Sequence, residues 1–433
     1  MSFENNGCVI IDDWPMMPDG SDYDGKQLLS LVRSNHSPFR DAWNVKSLIR
    51  EVEAAVDDKV VDIPIVTRGS NNLGLHCQLS NKQDIVVRLG RSDVNEPEYD
   101  GLSMELILSD IGFQVAANGL LEQIPDIPNS RLLHFRGPAR RAGGGGAHPP
   151  ADSISGRSLM VFEKKDGRAN VWEELSPAGK GSLLIQAACI RASLFNFMVP
   201  RDFIAKWLLL RTFNFIPEEL PIPITFTRAF WTAVLVARVE VTIESEGDMI
   251  GWESDNDTVG PESIKAKQAL LSLIPHILPD CPDKEQLYYR PVLEHGDFGI
   301  HNMSVAVDEP GGEARITSLF DWETGCIVPA LLADPEMTVL VDLTADEQGH
   351  PAITRVEDDA TQEYRHEYMG HARQYLGVLY AHAPEFESAI AAGRDARHLW
   401  FSLKKWRGDD PEGFFGQLGA WALSRMAEIE GGE

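Results

Sequence analysis

The sequence is short of cysteine, of positive charge and of long apolar runs, and each shortage removes a class of protein. Five cysteines in 433 residues, Cys8, Cys77, Cys189, Cys281 and Cys326, are odd in number and scattered. They offer no disulfide framework, and free thiols in a reducing, cytoplasmic compartment are the expectation. Basic residues number 39 against 66 acidic ones, a net charge of −27. That excess disfavours nucleic acid or an anionic membrane surface as a partner and leaves a neutral or cationic small molecule easier to accept. The longest uninterrupted apolar run, 233–237, is far below the roughly 20 residues of a membrane span. The first residues carry neither a basic segment nor an apolar core of signal-peptide length, so no secretion signal is expected. No internal repeat is visible.

What is present is the composition of a soluble globular chain longer than one ordinary domain, 43% hydrophobic and 24% charged. Its chemistry concentrates in residues 293–324, LEHGDFGIHNMSVAVDEPGGEARITSLFDWET. The apolar run 303–307, the turn cluster 308–313 and the β-prone run 314–320 read as a hairpin. Pairing of Val307 with Ala314 would bring Asn302 and Asp321 to the same end of the ladder, about one diagonal step of roughly 7–8 Å apart. A carboxylate and an amide oxygen so placed suit a hard cation such as Mg²⁺, which takes its other ligands from water and phosphate. Asp297 lies five residues before Asn302, on a His-Gly-Asp-Phe-Gly segment that glycine allows to bend sharply. An aspartate beside a glycine is, taken singly, an ordinary turn residue. Three such polar residues around one hairpin point instead to phosphoryl transfer, in which one Asp receives a hydroxyl proton while an Asn and a later Asp hold metal.

His295-Gly296-Asp297-Phe298-Gly299-Ile300-His301-Asn302, followed by Phe320-Asp321-Trp322-Glu323, resembles the catalytic-loop and Asp-Trp-Glu motifs of the aminoglycoside phosphotransferase / choline kinase-like family. The resemblance covers residues from about 60 to 340. It implies an α+β, protein-kinase-like two-lobed fold, with a small antiparallel-sheet N-lobe and a mainly helical C-lobe. It further implies ATP and Mg²⁺ as cofactors, Asp297 as catalytic base, and Asn302 and Asp321 as metal ligands. The acceptor it implies is a hydroxyl of a small molecule. Gly296 stands where protein kinases usually carry an Arg, and no Ala-Pro-Glu segment follows Asp321, so a small molecule is favoured over a protein. The alternative is a nucleotide-binding pseudokinase or scaffold, suggested by a phosphate loop poor in glycine.

That loop is the Gly69-Ser70-Asn71-Asn72 stretch between two strands, whose backbone N–H groups could form an anion nest. The next strand, 84–89, carries Arg88, which matches the family's phosphate-contacting base and could grip phosphate with two donors. A helical pattern after Pro97, with Met104, Leu108 and Ile111 at helical spacing, offers Glu105 as the partner of Arg88. Strands are expected over 131–136 and 158–163. Glu163 closes the second, where the resemblance places backbone contacts to an adenine edge. Between these strands the Gly- and Pro-rich segment 137–156 reads as a mobile loop. Three divisions result: an N-terminal cap over 1–60, an N-lobe over 61–165, and a C-lobe over 166–433 with its catalytic loop at 295–302 and metal hairpin at 303–323.

In the C-lobe, Ser176-Pro177 supplies an N-cap and first-turn proline to a helix reaching Met198. Residues 199–226 read as loop and short helix, and 228–243 and 262–278 as helices joined by an acidic loop. Three closing helices follow over 362–380, 386–405 and 411–429. His366 and His371 are five apart, about 140° around a helix, so a zinc-protease site is not expected there. Nothing in 200–261 or 362–429 spells a ligand.

Overall fold

A computed structural model describes residues 14–17, 19–91, 104–139, 154–212, 224–243, 260–307, 313–406 and 410–431. The tip of the Gly/Pro segment, the hairpin turn at 308–312 and the acidic loop at 244–259 lie outside the described residues. The chain divides into two compact units. One comprises Met1–Arg168 with Thr317–Glu323, the other Ala169–Ile316 with Thr324–Glu433.

In the first unit, α1 (Leu28–Arg33) and α2 (Val45–Val56) precede β1 (Val60–Arg68), β2 (Asn72–Leu79) and β3 (Asp84–Gly90). Then come α3 (Met104–Leu121), β4 (Leu132–Arg136) and β5 (Leu159–Glu163). The strands form one antiparallel sheet in the order β1-β2-β3-β5-β4. Alternation in β3 explains its two faces. Ile85, Val87 and Leu89 are fully buried, whereas Arg88 falls on the opposite face. The buried face packs under Leu28, Phe39, Trp43, Leu48 and Val52, so the N-terminal segment, whose role the sequence left unread, covers one side of the sheet. Asn44 caps α2 by accepting from the Ser47 N–H at 3.1 Å. Glu51 of α2 meets the Arg136 guanidinium of β4 at 2.6 Å.

The second unit is mainly helical. It holds α4 (Pro177–Asn196), α5 (Arg201–Thr212), α6 (Arg228–Thr242), α7 (Pro261–Ile277) and α8 (Glu285–Tyr289). After them come β6 (Pro291–Glu294), β7 (Met303–Val307), β8 (Ala314–Leu319), β9 (Cys326–Pro329) and the short strands β10 (Met337–Thr338), β11 (Asp342–Ala345) and β12 (Pro351–Thr354). Four helices close it: α9 (Gln362–His382), α10 (Pro384–Ala392), α11 (Arg394–Lys405) and α12 (Pro411–Gly431). Ser176 caps α4 from the Gly179 N–H at 3.1 Å, as the Ser-Pro signal predicts. The helix expected over 386–405 is two helices, broken at Gly393, where an added Cβ would lie 2.0 Å from the Leu331 carbonyl oxygen. The β10–β12 meander escaped the sequence reading because its strands are only two to four residues long.

β7 and β8 pair as the expected hairpin. The end of β8 belongs to the first unit, where the Leu319 N–H donates to the Pro128 carbonyl at 2.8 Å and Ser318 Oγ lies 2.8 Å from Ser130 Oγ. The architecture is α+β as expected, an antiparallel sheet with helices and a separate, mainly helical body. Among the described residues no single helix is long and apolar enough to cross a membrane.

Candidate functional site

The catalytic loop belongs to the second unit and is built from a turn that few residues can make. Gly296 has φ +81°, and a Cβ there would sit 2.1 Å from the Thr324 carbonyl oxygen, so both conformation and space demand glycine. Across this turn, Glu294 of β6 faces Cys326 of β9 in an antiparallel ladder. On its far side the Thr338 N–H donates to the Phe298 carbonyl at 3.0 Å, and a single turn of 3-10 helix, Ile300–Asn302, returns the chain to β7.

This frame leaves the Asp297 side chain half exposed. His301 Nε2 lies 3.0 Å from its Oδ1, and Asn302 Nδ2 donates to its Oδ2 at 3.0 Å and to its backbone carbonyl at 2.9 Å. The His301 hydrogen bond holds the Asp297 carboxyl below its ordinary range, against partial burial, with Asn302 adding in the same direction. Asn302 is itself buried, and its amide N–H₂ is committed to Asp297, which orients its Oδ1 as the remaining, accepting atom.

Behind the loop lies a pair that sequence reading missed. Arg191 of α4 is 2% exposed; its Nη1 donates to Glu294 Oε2 at 2.6 Å, its Nη2 donates to the Glu336 carbonyl at 2.8 Å, and its guanidinium lies over the Phe298 ring at 4.4 Å. Burial pushes the Glu294 carboxyl up to about 7 even beside that guanidinium. Two charges at full burial in a helix and a strand give no sequence signal beyond polar letters in apolar runs.

The first unit carries the remaining candidates. Arg88 Nη2 reaches Asp321 Oδ1 at 2.8 Å and Glu323 Oε2 at 3.4 Å. Among the described residues its carboxylate partners are therefore Asp321 and Glu323, in place of the expected Glu105. Glu105 lies exposed in the first turn of α3, whose Asp110 is the acid with a charge that reaches Glu323. The helix expected to bring Glu105 inward is apolar around most of its circumference, so periodicity could not fix which face an acid would occupy. Asp321 has φ +70°, a left-handed conformation that Asp tolerates better than most residues. Burial raises the Glu323 carboxyl above its usual range, the neighbouring Asp321 adds to the rise, and Arg88 opposes it.

Gly69, Ser70 and Asn71 form the tight connection between β1 and β2, closed by a hydrogen bond from the Gly69 N–H to the Asn72 carbonyl at 2.9 Å. Arg91 grips the loop from below, donating to the carbonyls of Gly69 at 2.8 Å and Ser70 at 3.2 Å, while its own N–H donates to the Asn71 carbonyl at 3.0 Å. The Asn71 and Asn72 side-chain amides both donate to Glu323. Glu163 ends β5. Its N–H donates to the Arg131 carbonyl at 2.9 Å and its carboxylate meets Lys165 at 3.1 Å. Loop, Arg88, Asp321 and Glu323 thus form one connected set within this unit, and Glu163 stands outside it. Glu323, Arg91 and His301 have no role in the sequence reading, although Glu323 and His301 stand inside the motifs quoted.

Among the described residues no three His, Cys, Asp or Glu side chains converge as a metal cage. The carboxylate oxygens of Asp321 and Glu323 in the first unit, and separately the amide oxygen of Asn302 in the second, are donors of the oxygen type that a hard cation takes. His371, from the refused zinc pattern, packs edge-on against Trp172 at 5.2 Å and Tyr368 at 5.3 Å.

No family model and no curated protein matches the chain. Among solved structures it is similar to aminoglycoside phosphotransferase APH(4)-Ia, at 12% identity and TM-score 0.43, over 89% of this chain and 98% of that one. It is similar as well to APH(2")-IIa in its ternary complex with streptomycin and ATP, at 11% identity and TM-score 0.43, over 88% and 96%. Choline kinase from Cryptosporidium parvum stands at 13% identity and TM-score 0.39, over 88% and 92%.

Proposed function

We propose that the protein is an ATP- and Mg²⁺-dependent phosphotransferase acting on a hydroxyl of a small molecule. The observation that carries this reading is the Asp297 loop: a half-exposed carboxylate fixed by His301 and Asn302 on a glycine turn, with the Asn302 amide oxygen left to accept. Asp297 receives and orients the acceptor hydroxyl. Its lowered proton affinity keeps it ionised at neutral pH, so it serves as a positioned acceptor that takes the proton late in a loose transition state. Asn302 supplies an amide-oxygen ligand, and Asp321, aided by Glu323, a carboxylate ligand for Mg²⁺. Arg88 and the Gly69, Ser70 and Asn71 loop meet phosphate, and the backbone at Glu163 serves the base. When bound, MgATP would supply the γ-phosphoryl group to the hydroxyl oxygen with ADP as the leaving group, and Asp297 would take the hydroxyl proton.

A second reading, a nucleotide-binding pseudokinase, draws on the contacts around Arg88. Its guanidinium is engaged by two carboxylates, and Asn71 and Asn72 are tied to one of them. Mg²⁺-dependent transfer from ATP, measured over a panel of hydroxyl compounds with wild type and Asp297→Asn, decides between them. The phosphotransferase reading expects turnover that Asp297→Asn lowers by about 10²–10⁴ with MgATP affinity nearly unchanged. Binding of MgATP without any turnover selects the pseudokinase.

A further inference from the structure

The stretch Gly69-Ser70-Asn71-Asn72 is poor in glycine, and its backbone is set from behind by a residue outside it. Arg91, directly after β3, is 8% exposed. One of its guanidinium nitrogens, Nη1, donates to the carbonyls of two consecutive residues, Gly69 at 2.8 Å and Ser70 at 3.2 Å. In a strand, consecutive carbonyls turn to opposite sides, so two aimed at one nitrogen mark a backbone bent around it. The root of Arg91 is fixed as well. Its N–H donates to the Asn71 carbonyl at 3.0 Å, continuing the ladder in which Asn72 faces Gly90, and Arg157 Nη1 donates to the Gly90 carbonyl at 3.1 Å.

Peptide planarity converts the direction of each carbonyl into the direction of the next N–H. Among the described residues every peptide is trans, and in a trans peptide the C=O of one residue and the N–H of the next point in opposite directions. With the Gly69 and Ser70 carbonyls turned to Arg91, the N–H groups of Ser70 and Asn71 turn away from it. Two successive N–H groups turned to one side make an anion-binding nest. Alternation in β3 decides which side that is. Carried on to residue 91, it places Arg91 with Ile85, Val87 and Leu89, on the face opposite Arg88. The Asn71 and Asn72 amides lead to the Arg88 side too, for both donate to Glu323, whose Oε2 lies 3.4 Å from Arg88 Nη2. We propose that Arg91 is a positioning residue: its grip on the Gly69 and Ser70 carbonyls turns the Ser70 and Asn71 N–H groups to the Arg88 side, as a nest for the phosphates of a nucleotide. Held in this way, the loop needs no further glycine to keep its shape. That the anion belongs to a nucleotide rests on the phosphotransferase reading; the nest itself does not.

Calorimetry on the full-length protein with Mg²⁺ present compares tripolyphosphate, ATP and adenosine. Arg91→Met keeps an unbranched side chain and removes the donor. It should weaken tripolyphosphate and ATP by about tenfold or more, as expected for the loss of a preorganised hydrogen-bonding loop, and leave adenosine within about twofold. Arg91→Lys, whose ammonium can serve both carbonyls from one nitrogen as Nη1 does, should restore most of the affinity. Ser70→Pro deletes the Ser70 N–H without touching Arg91 and should cost tripolyphosphate a comparable factor. An equal loss of adenosine in Arg91→Met would make the residue a general support of the fold and overturn the inference. Wild-type tripolyphosphate affinity in either Arg91→Met or Ser70→Pro overturns it as well, as does failure of the unaltered protein to bind tripolyphosphate. Should Arg91→Met not fold, Ser70→Pro decides alone. Tripolyphosphate binding that depends on both residues, without binding of ATP, leaves the nest standing and removes the nucleotide reading. Transfer from ATP, together with unchanged ATP affinity in Arg91→Met, does the reverse.

Discussion

At the scale of single residues, the chemistry turns on how Asp297 is held. His301 is the largest influence keeping its carboxyl below the ordinary range, and partial burial acts the other way. A carboxylate depressed in this manner is ionised above its folded pKa and loses that form only as the pH falls through it. The acid limb of kcat set by Asp297 is therefore expected below the usual carboxylate range. Replacing His301 with Ala removes the downward influence and leaves the burial, so the limb should move to higher pH while the neutral-pH plateau changes less. A pH profile of kcat for wild type and His301→Ala measures this; an unmoved acid limb would detach His301 from Asp297. Asp297, Asn302 and Asp321 stand out in the sequence as candidates because glycine, aspartate and asparagine fall there at the spacing of the motif they resemble. His301 stood in the same motif without a role, since whether its ring turns toward Asp297 depends on a 3-10 turn that spacing does not reveal.

At the scale of elements, β3 and the end of β8 depend on each other through charge. Arg88 has side-chain exposure of 18%, and its two partners are acids two residues apart on one short segment. Arg88→Ala leaves those acids side by side without their cation, so it should weaken ATP binding and lower stability together. Glu105→Gln should leave ATP binding unchanged, because the carboxylates on Arg88 are others. Nucleotide titration and denaturant unfolding of both variants check this, and a binding loss in Glu105→Gln would restore the pairing read from sequence. A second element-level dependence joins α4 to the catalytic loop. Arg191→Met strips a fully buried Glu294 of its partner, at an expected cost of about 3–5 kcal/mol, whereas Arg191→Met with Glu294→Leu should recover most of it. Denaturant midpoints of the two variants measure the difference; equal destabilisation would mean that the pair does not act as a unit. Most strands and helices were legible from their periodicity and their Ser-Pro, Gly and Asn punctuation. The partner of Arg88 was not, because it lies more than 230 residues away along the chain and no local pattern carries such a distance.

At the scale of the whole molecule, the segment 317–323 is contributed to the first unit from far along the sequence, so the unit holding Arg88 is completed by the end of β8 and the residues after it. Asp321, at the end of that segment, is where ligand binding should register as stability of the entire chain. A ligand bound only by the folded state stabilises it by about 2.7 kcal/mol at a hundredfold excess over its dissociation constant. Thermal unfolding with ATP should therefore show a rise in Tm when Mg²⁺ is present that chelation largely removes. Asp321→Asn is the informative variant. Alanine at φ +70° would add backbone strain, whereas asparagine tolerates the left-handed region and keeps the shape while losing the charge. Its unliganded Tm is free to move either way, since the change removes both an ion pair with Arg88 and a like charge beside Glu323. What should vanish is the increment that Mg²⁺ adds to ATP. If Asp321→Asn keeps that increment in full, Mg²⁺ is held elsewhere, and the metal role assigned to the Asp-Trp-Glu segment fails even though the base role of Asp297 could survive.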